Sequence, residues 1–261
     1  MSAHKHAIAA EAPTVAGPSS PPAPGMVARG GESLSEIAYD RIEDLIVHRV
    51  FAPGASTTTK DLQDAVNVGR TPVHQAVRRL AAETLIQIRP RDGLMVSPIS
   101  LERDRRLLQL RRDMDRFVIR SASRNATGNI RSQLLHLTQQ LKSRRDLMSL
   151  AEFNTYDRQL DRALMDATGE PFLDRTLRPL HTVFRRIGGL YLSQIGGPEG
   201  LLETIDHHLE LLEAVLHAGV DDAILASDRL IEYADGMFVG LEARIDPALL
   251  DVRLSDYGQH R

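Results

Sequence analysis

Residues 69–80 read Gly-Arg-Thr-Pro-Val-His-Gln-Ala-Val-Arg-Arg-Leu, and the placing of this run decides the fold. Val73, Val77 and Leu80 recur at spacings of four and three, so they share one face of a helix, with Ala76 beside them. Arg70, Thr71, His74 and Arg78 lie away from that stripe. Pro72 fits only a first turn, where its missing N–H costs nothing, so either Thr71 or Gly69 is the N-cap. The spacing predicts a helix over about residues 70–83 with one apolar and one basic face, suited to a DNA groove.

Upstream, Thr58 and Asp61 have capping-box spacing before Leu62, Ala65 and Val66, and Asn67-Val68-Gly69 then makes a tight turn. Ser33 and Glu36 open an earlier helix through Ala38, Ile42, Leu45 and Ile46, stopped by Pro53-Gly54. Downstream, the apolar runs 85–89 and 94–98 flank Asp92-Gly93, a hairpin signal. Three helices and a terminal hairpin make a winged helix-turn-helix over residues 33–98, with the hairpin as the wing.

From Leu101 onward the period is helical throughout. Six apolar stripes follow: Leu107, Leu110, Met114 and Phe117; Ile130 to Leu141; Phe153 to Ala167; Leu173 to Ile187; Ile205 to Leu216; and Ile224 to Leu241. The expected fold class is mainly α: the winged domain, then an all-α bundle of six or seven helices over residues 99–246. Residues 1–32, rich in Pro and Gly, read as a disordered tail, and residues 247–261 as a frayed C-terminal tail.

Composition narrows the function. With 42% hydrophobic and 26% charged residues, 261 residues suffice for two globular domains. A net charge of −3 means that nucleic-acid binding must come from a local patch. Between Arg70 and Arg91 five arginines face one acid, Glu83, whereas Ser33–Pro98 as a whole balances eight against eight. The patch is therefore the helix and the wing, where phosphates and base edges are met. With no cysteine, disulfides and thiolate chemistry are excluded. No apolar run is long enough for a membrane span and no secretory signal is visible, so a cytoplasmic protein without membrane partners is expected. No nucleophile–base motif appears, so the chain does not read as an enzyme.

At "GRTPVHQAVRRLAAETLIQIRPRDGLMV", with "PG" and "TTKDLQDAVNV" before it, the sequence resembles the DNA-binding domain of GntR-type bacterial regulators. The helical remainder is similar to the FadR-type (FCD) effector domain of that family. The candidate DNA-binding residues are Lys60, Arg70, Thr71, Pro72, His74, Arg78, Arg91 and Gly93; the resemblance implies base or phosphate contacts at the positions of Arg70, His74 and Lys60 and a minor-groove approach of Gly93 in the wing. Gly69 replaces a usual Ser, His74 a usual Arg and Gln75 a usual Glu. At His74 an imidazole in place of a guanidinium offers a base edge different partners, so the operator is expected to differ from the family's commonest one.

The resemblance also implies a metal site: an Asp and a His four apart on one helix, then two His from later helices. Here those positions hold Asp157, Asp161, His208 and Leu230, so one ligand is changed and one lost. His208 lies in the stripe of Ile205, Leu209 and Leu212 and points inward. Asp157, Asp161 and His208 either hold Zn, Mn or Mg, or form an internal hydrogen bond with no metal bound. Arg111 falls where relatives carry an Arg that pairs a ligand carboxylate, and the alternative is a salt bridge to Asp115. Arg111, Asp157, Asp161 and His208 are thus the candidate effector residues, with His181 nearby in sequence pattern. The expected protein is a homodimeric repressor, released from a palindromic operator by a small carboxylic acid. An activator of the same family, or a metal-dependent enzyme using the bundle site, are the rival readings.

Overall fold

The computed structural model describes residues 33–254. The tail expected over residues 1–32 and the end from Ser255 lie outside the described residues. Helix α1 (Leu34–Val47) is capped by Ser33, whose hydroxyl accepts from Glu36 N at 3.2 Å. The reciprocal arm of the capping box is absent, because the Glu36 carboxylate is drawn to Arg79 and Arg178. Helix α2 (Thr59–Val66) has the full Thr58–Asp61 capping box, and Asn67 ends it in the left-handed region at φ 50°. Helix α3 (Arg70–Ala82) starts after Gly69. Val73, Ala76, Val77 and Leu80 pack with Ala38, Ile42, Ile46, Leu62 and Val66 in one core. Burial of each Val or Leu in that core contributes about 1.5–3 kcal/mol.

The hairpin pairs β2 (Ile86–Arg89) with β3 (Gly93–Val96), Ile86 opposite Val96 and Arg89 opposite Gly93. The wing has a third strand that the sequence did not reveal: β1 (Ser56–Thr57) pairs antiparallel with β3. Gly93 is required here, since its φ is +81° and a Cβ would stand 3.0 Å from Thr57 O.

The bundle has the six expected helices: α4 (Leu101–Asn125), α5 (Gly128–Arg144), α6 (Leu150–Ala167), α7 (Phe172–Tyr191), α8 (Gly197–His217) and α9 (Val220–Arg244). Helix α7 runs through Gly188-Gly189, and one π turn over Leu192–Gly196 joins it to α8. One expected face needs correction. On α4 the buried side chains include Leu108, Val118, Ile119 and Ala122, while Leu110 and Phe117 are half exposed. Leu107 and Met114 of the expected stripe do pack against the core, but Leu110 and Phe117 do not, because α4 meets α9, α6 and α7 through Leu108, Val118, Ile119 and Ala122 as well. No helix among the described residues is long and apolar enough to cross a membrane.

Residues 247–254 are not a frayed tail. Leu250 O accepts from Ile99 N, and Val252 N donates to Pro53 O, both at 2.9 Å. Asp251 sits against Gly54, where a Cβ would come within 2.0 Å of its Oδ1. This segment straps the linker to the Pro53-Gly54 turn of the winged domain. Its ordering comes from these long-range hydrogen bonds, which local sequence does not encode.

Candidate functional site

Two regions carry the candidate residues. The first is the outer face of α2, α3 and the wing. Arg70, Thr71, His74, Arg78, Lys60, Arg91 and Gly93 are exposed, and Pro72 is half-buried in the first turn of α3. Gly69 makes no side-chain cap, so the amide groups at the start of α3 are left for an outside acceptor, such as a phosphate. Lys60 is exposed and paired with Asp64 one turn on. Arg79, part of the basic count, does not belong to this face. It donates to Glu83 and Glu36, each at 2.9 Å, and its guanidinium carbon lies 3.9 Å from the Tyr39 ring centre. It anchors α3 on α1.

The second region is the centre of the bundle, where Asp157 and Asp161 of α6 meet His208 of α8, Arg111 and Asp115 of α4, and His181 of α7. His208 Nε2 lies 3.1 Å from Asp157 Oδ1, and its Nδ1 lies 2.7 Å from Thr204 O. His181 Nε2 is 3.1 Å from Asp115 Oδ1. Its Nδ1 is 3.1 Å from Asp161 Oδ2, close enough for charge attraction, although it is not aligned as a hydrogen bond. Arg111 Nε donates to Asp115 at 3.1 Å. Arg111 thus pairs with Asp115, and His208 lies against Asp157.

A residue not singled out from the sequence dominates this centre. Arg185 of α7 donates through Nε to Asp157 and through Nη2 to Asp161, each at 2.8 Å. Burial works against the charge on His181, but Asp161 and Asp115 outweigh it and push its pKa up to about 9. Burial likewise opposes charge on His208, and the bond to Asp157 lifts its pKa. Asp161 is held well below the usual carboxylate range: burial would raise it, and His181 and Arg185 overcome that.

These residues do not fit a divalent ion as they stand. A histidine ligand needs a lone pair, yet both nitrogens of His208 face acceptor oxygens. The two carboxylates are committed to a guanidinium. The fourth position, Leu230, has no donor atom. Among the described residues no group of three His, Cys, Asp or Glu side chains is placed to hold a metal.

Arg185 also reaches the winged domain. Helix α1 presents Glu36, Asp40, Glu43 and Asp44 to arginines of α6 and α7. Arg178 donates to Glu36 at 2.7 Å and Glu43 at 3.0 Å, and pairs with Asp40. Arg162 donates to Asp40 at 3.0 Å and Arg158 to Asp44 at 3.2 Å. Thr182 donates to Glu43, and Arg185 Nη1 stands 3.9 Å from Glu43 Oε1. Glu43 is fully buried; burial raises its pKa, and Arg178, Arg158 and Arg185 together hold it down to about 2. Arg186 Nη2 donates to Ser97 O in the linker at 2.8 Å. Arg178, Arg185 and Arg186 were legible only as charges on an otherwise apolar helix, and that mismatch was the available signal.

Beside this centre lies a cavity of about 60 Å³, lined by residues that include Asn154, Asp157, Arg185, Arg111 and His208.

Comparison with known proteins gives a consistent picture. Residues 106–233 match the FCD domain, and residues 34–96 match the bacterial regulatory proteins of the gntR family. The HTH-type transcriptional repressor RspR of Escherichia coli is 30% identical over 187 residues, covering 70% of this chain and 79% of that protein. The HTH-type transcriptional regulator McbR of E. coli is 24% identical over 181 residues, 67% of this chain and 80% of that protein. Among solved structures, E. coli McbR/YncC superposes with a TM-score of 0.70 at 18% identity, over 81% of this chain and 99% of that one. A Rhodococcus regulator described as GntR follows at 0.60 and 19%, over 79% of this chain and 97% of that one.

Proposed function

The chain belongs to the GntR family of bacterial transcriptional regulators, with an FCD domain behind its winged DNA-binding domain, and from that premise we propose that it is a repressor released from a palindromic operator by a small carboxylate metabolite. It is a transcriptional regulator and not an enzyme. Regulators of this family bind DNA through the winged domain and an effector in the FCD domain.

The observation that carries the proposal is a shared side chain: Arg185 belongs both to the polar centre of the bundle and to the α1 clamp. A ligand that engages the centre therefore acts within one residue of the winged domain. An effector shifts the protein off DNA only if it binds the released arrangement more tightly. The repressor reading is supported by the relative named a repressor. A palindromic operator needs two copies of α3, and the half-exposed Leu110 and Phe117 of α4 supply apolar surface for a second copy to cover. As a reader of chromosomal DNA it acts in the cytoplasm.

Selection of bound sequences from a random DNA pool, followed by anisotropy titration, tests this reading. The expected result is two inverted half-sites about one helical turn apart and an affinity that falls steeply with salt. A single half-site, or affinity flat in salt, overturns it. Arg70→Ala is expected to cost about 1–3 kcal/mol in operator binding and to relax choice at one base.

A further inference from the structure

Residues 247–254, which follow α9, touch the linker and the winged domain at once. Leu249 and Leu250 pack with Ile99 and Leu101 on the apolar cluster shared by α4, α7 and α9. From that seat Leu250 O takes the N–H of Ile99, and Val252 N–H reaches Pro53 O, both at 2.9 Å. The Pro53-Gly54 turn is in turn bonded to the wing: Gly54 N donates to Val96 O at 2.9 Å and Val96 N to Ala55 O at 3.0 Å. Asp251 fills the space that a Cβ at Gly54 would need. Arg253 holds the Asp251 carboxyl below the usual carboxylate range, and the charge of Arg89 in β2 adds to this. Only residues 97–100 connect β3 to α4. Two of their backbone groups are already held, Ser97 O by Arg186 and Ile99 N by Leu250. The α1 clamp fixes the winged domain to α6 and α7 along Glu36 to Asp44. The strap fixes it a second time, beyond the C-terminal end of that helix. A body held at one place can rock about it, and a body held at two cannot.

We propose that residues 247–254 set the spacing of operator half-sites that the protein accepts: by holding the Pro53-Gly54 turn and the linker, they fix the angle at which each bundle presents its α3 to DNA. The inference rests on the two-copy operator reading above and adds which part of the chain sets its geometry. Two winged domains on one operator meet half-sites at a fixed separation. One base pair more or less moves a half-site by about 3.4 Å and turns it by about 34–36°. Domains fixed at two places reject that displacement, whereas domains that rock on the α1 clamp alone absorb part of it. The strap's holding groups are backbone atoms. The side chains that place them are Leu249 and Leu250 in the apolar cluster and Asp251 against Gly54.

The test titrates the selected operator by anisotropy at constant salt, with its spacer at the optimum and one base pair shorter or longer. The full chain is compared with Val252→Pro, which removes the N–H that reaches Pro53 O, and with a chain ending at Asp246. Leu134→Ala, in the other apolar cluster of the bundle, is the control for lost stability alone. The parent is expected to lose about tenfold or more in affinity on each altered spacer. Both strap variants should lose about threefold or less, and Leu134→Ala should keep the parent's profile. The proposal is overturned if the strap variants keep the parent's profile, if the parent itself accepts all three spacers equally, or if Leu134→Ala broadens as they do. Should the shortened chain fail to fold, Val252→Pro decides. A parent that selects a single half-site removes the two-copy reading and the strap's role with it. Inverted half-sites with equal profiles in parent and variants keep that reading and remove only the strap's role.

Discussion

Arg78 and Arg79 are adjacent and do opposite work. Arg78 is exposed on the outer face of α3, the candidate DNA face, whereas Arg79 is held by Glu36 and Glu83 over the Tyr39 ring. Arg78→Ala is expected to weaken operator binding while leaving urea stability within about 0.5 kcal/mol. Arg79→Ala should lower stability by about 1–3 kcal/mol through lost packing and orphaned carboxylates, and a stability change confined to Arg78 would reverse the assignment. His181 gives a pH signature. Asp115 and Arg111 face it from α4, Asp161 from α6 and Arg185 from its own helix, and its pKa stands at about 9 against an ordinary 6.5. A raised pKa stabilises the fold fully below 6.5, and this contribution disappears as pH rises through about 9. Urea midpoints taken across that window should fall in the parent and fall less in His181→Gln. Equal slopes would show that the ring is not charged in the native state.

The helices were legible because their apolar periods are long and their caps are chemical: Thr58 with Asp61, and Pro72 at a first turn, needed no tertiary information. Strand β1 was not legible, since two residues carry no period, and it exists only because β3 offers a free edge. Leu110 and Phe117 of the α4 stripe were misplaced for a related reason. Leu107, Leu110, Met114 and Phe117 keep helical spacing, but so do Leu108, Val118, Ile119 and Ala122, and only the neighbours decide which face is covered. Gly93→Val tests the wing as a unit. A β-branched residue is strained at φ +81° and its Cβ meets Thr57 O. The expected loss is about 1–3 kcal/mol, with weaker operator binding, read by thermal unfolding and anisotropy. Unchanged values would mean that the turn adopts another conformation at no cost.

In the whole molecule, a set of largely buried ion pairs joins α1 of the winged domain to α6 and α7 of the bundle. The resemblance pointed to Asp157, Asp161 and His208, which the fold brings near one another, but left out Arg185, because a departure from the family's ligand pattern does not say what fills the gap. The bundle partners of the α1 acids lie more than a hundred residues away in the chain, beyond any local pattern. Arg178→Met leaves Glu36, Asp40 and Glu43 facing one another. Breaking such a buried network costs about 3–5 kcal/mol, and hydrogen exchange along α1 and residues 97–100 should accelerate. Unaltered exchange there would exclude the clamp as the domain tether. Its burial has one more consequence. Exposed phosphate contacts fade with ionic strength, whereas pairs such as Arg178–Glu43 are screened far less. Protein washed from DNA by salt is therefore expected to keep its domains locked together. If an effector releases the protein as proposed above, ligand-released and salt-released protein are expected to be different conformers, and induction is then to be studied on the ligand-released one.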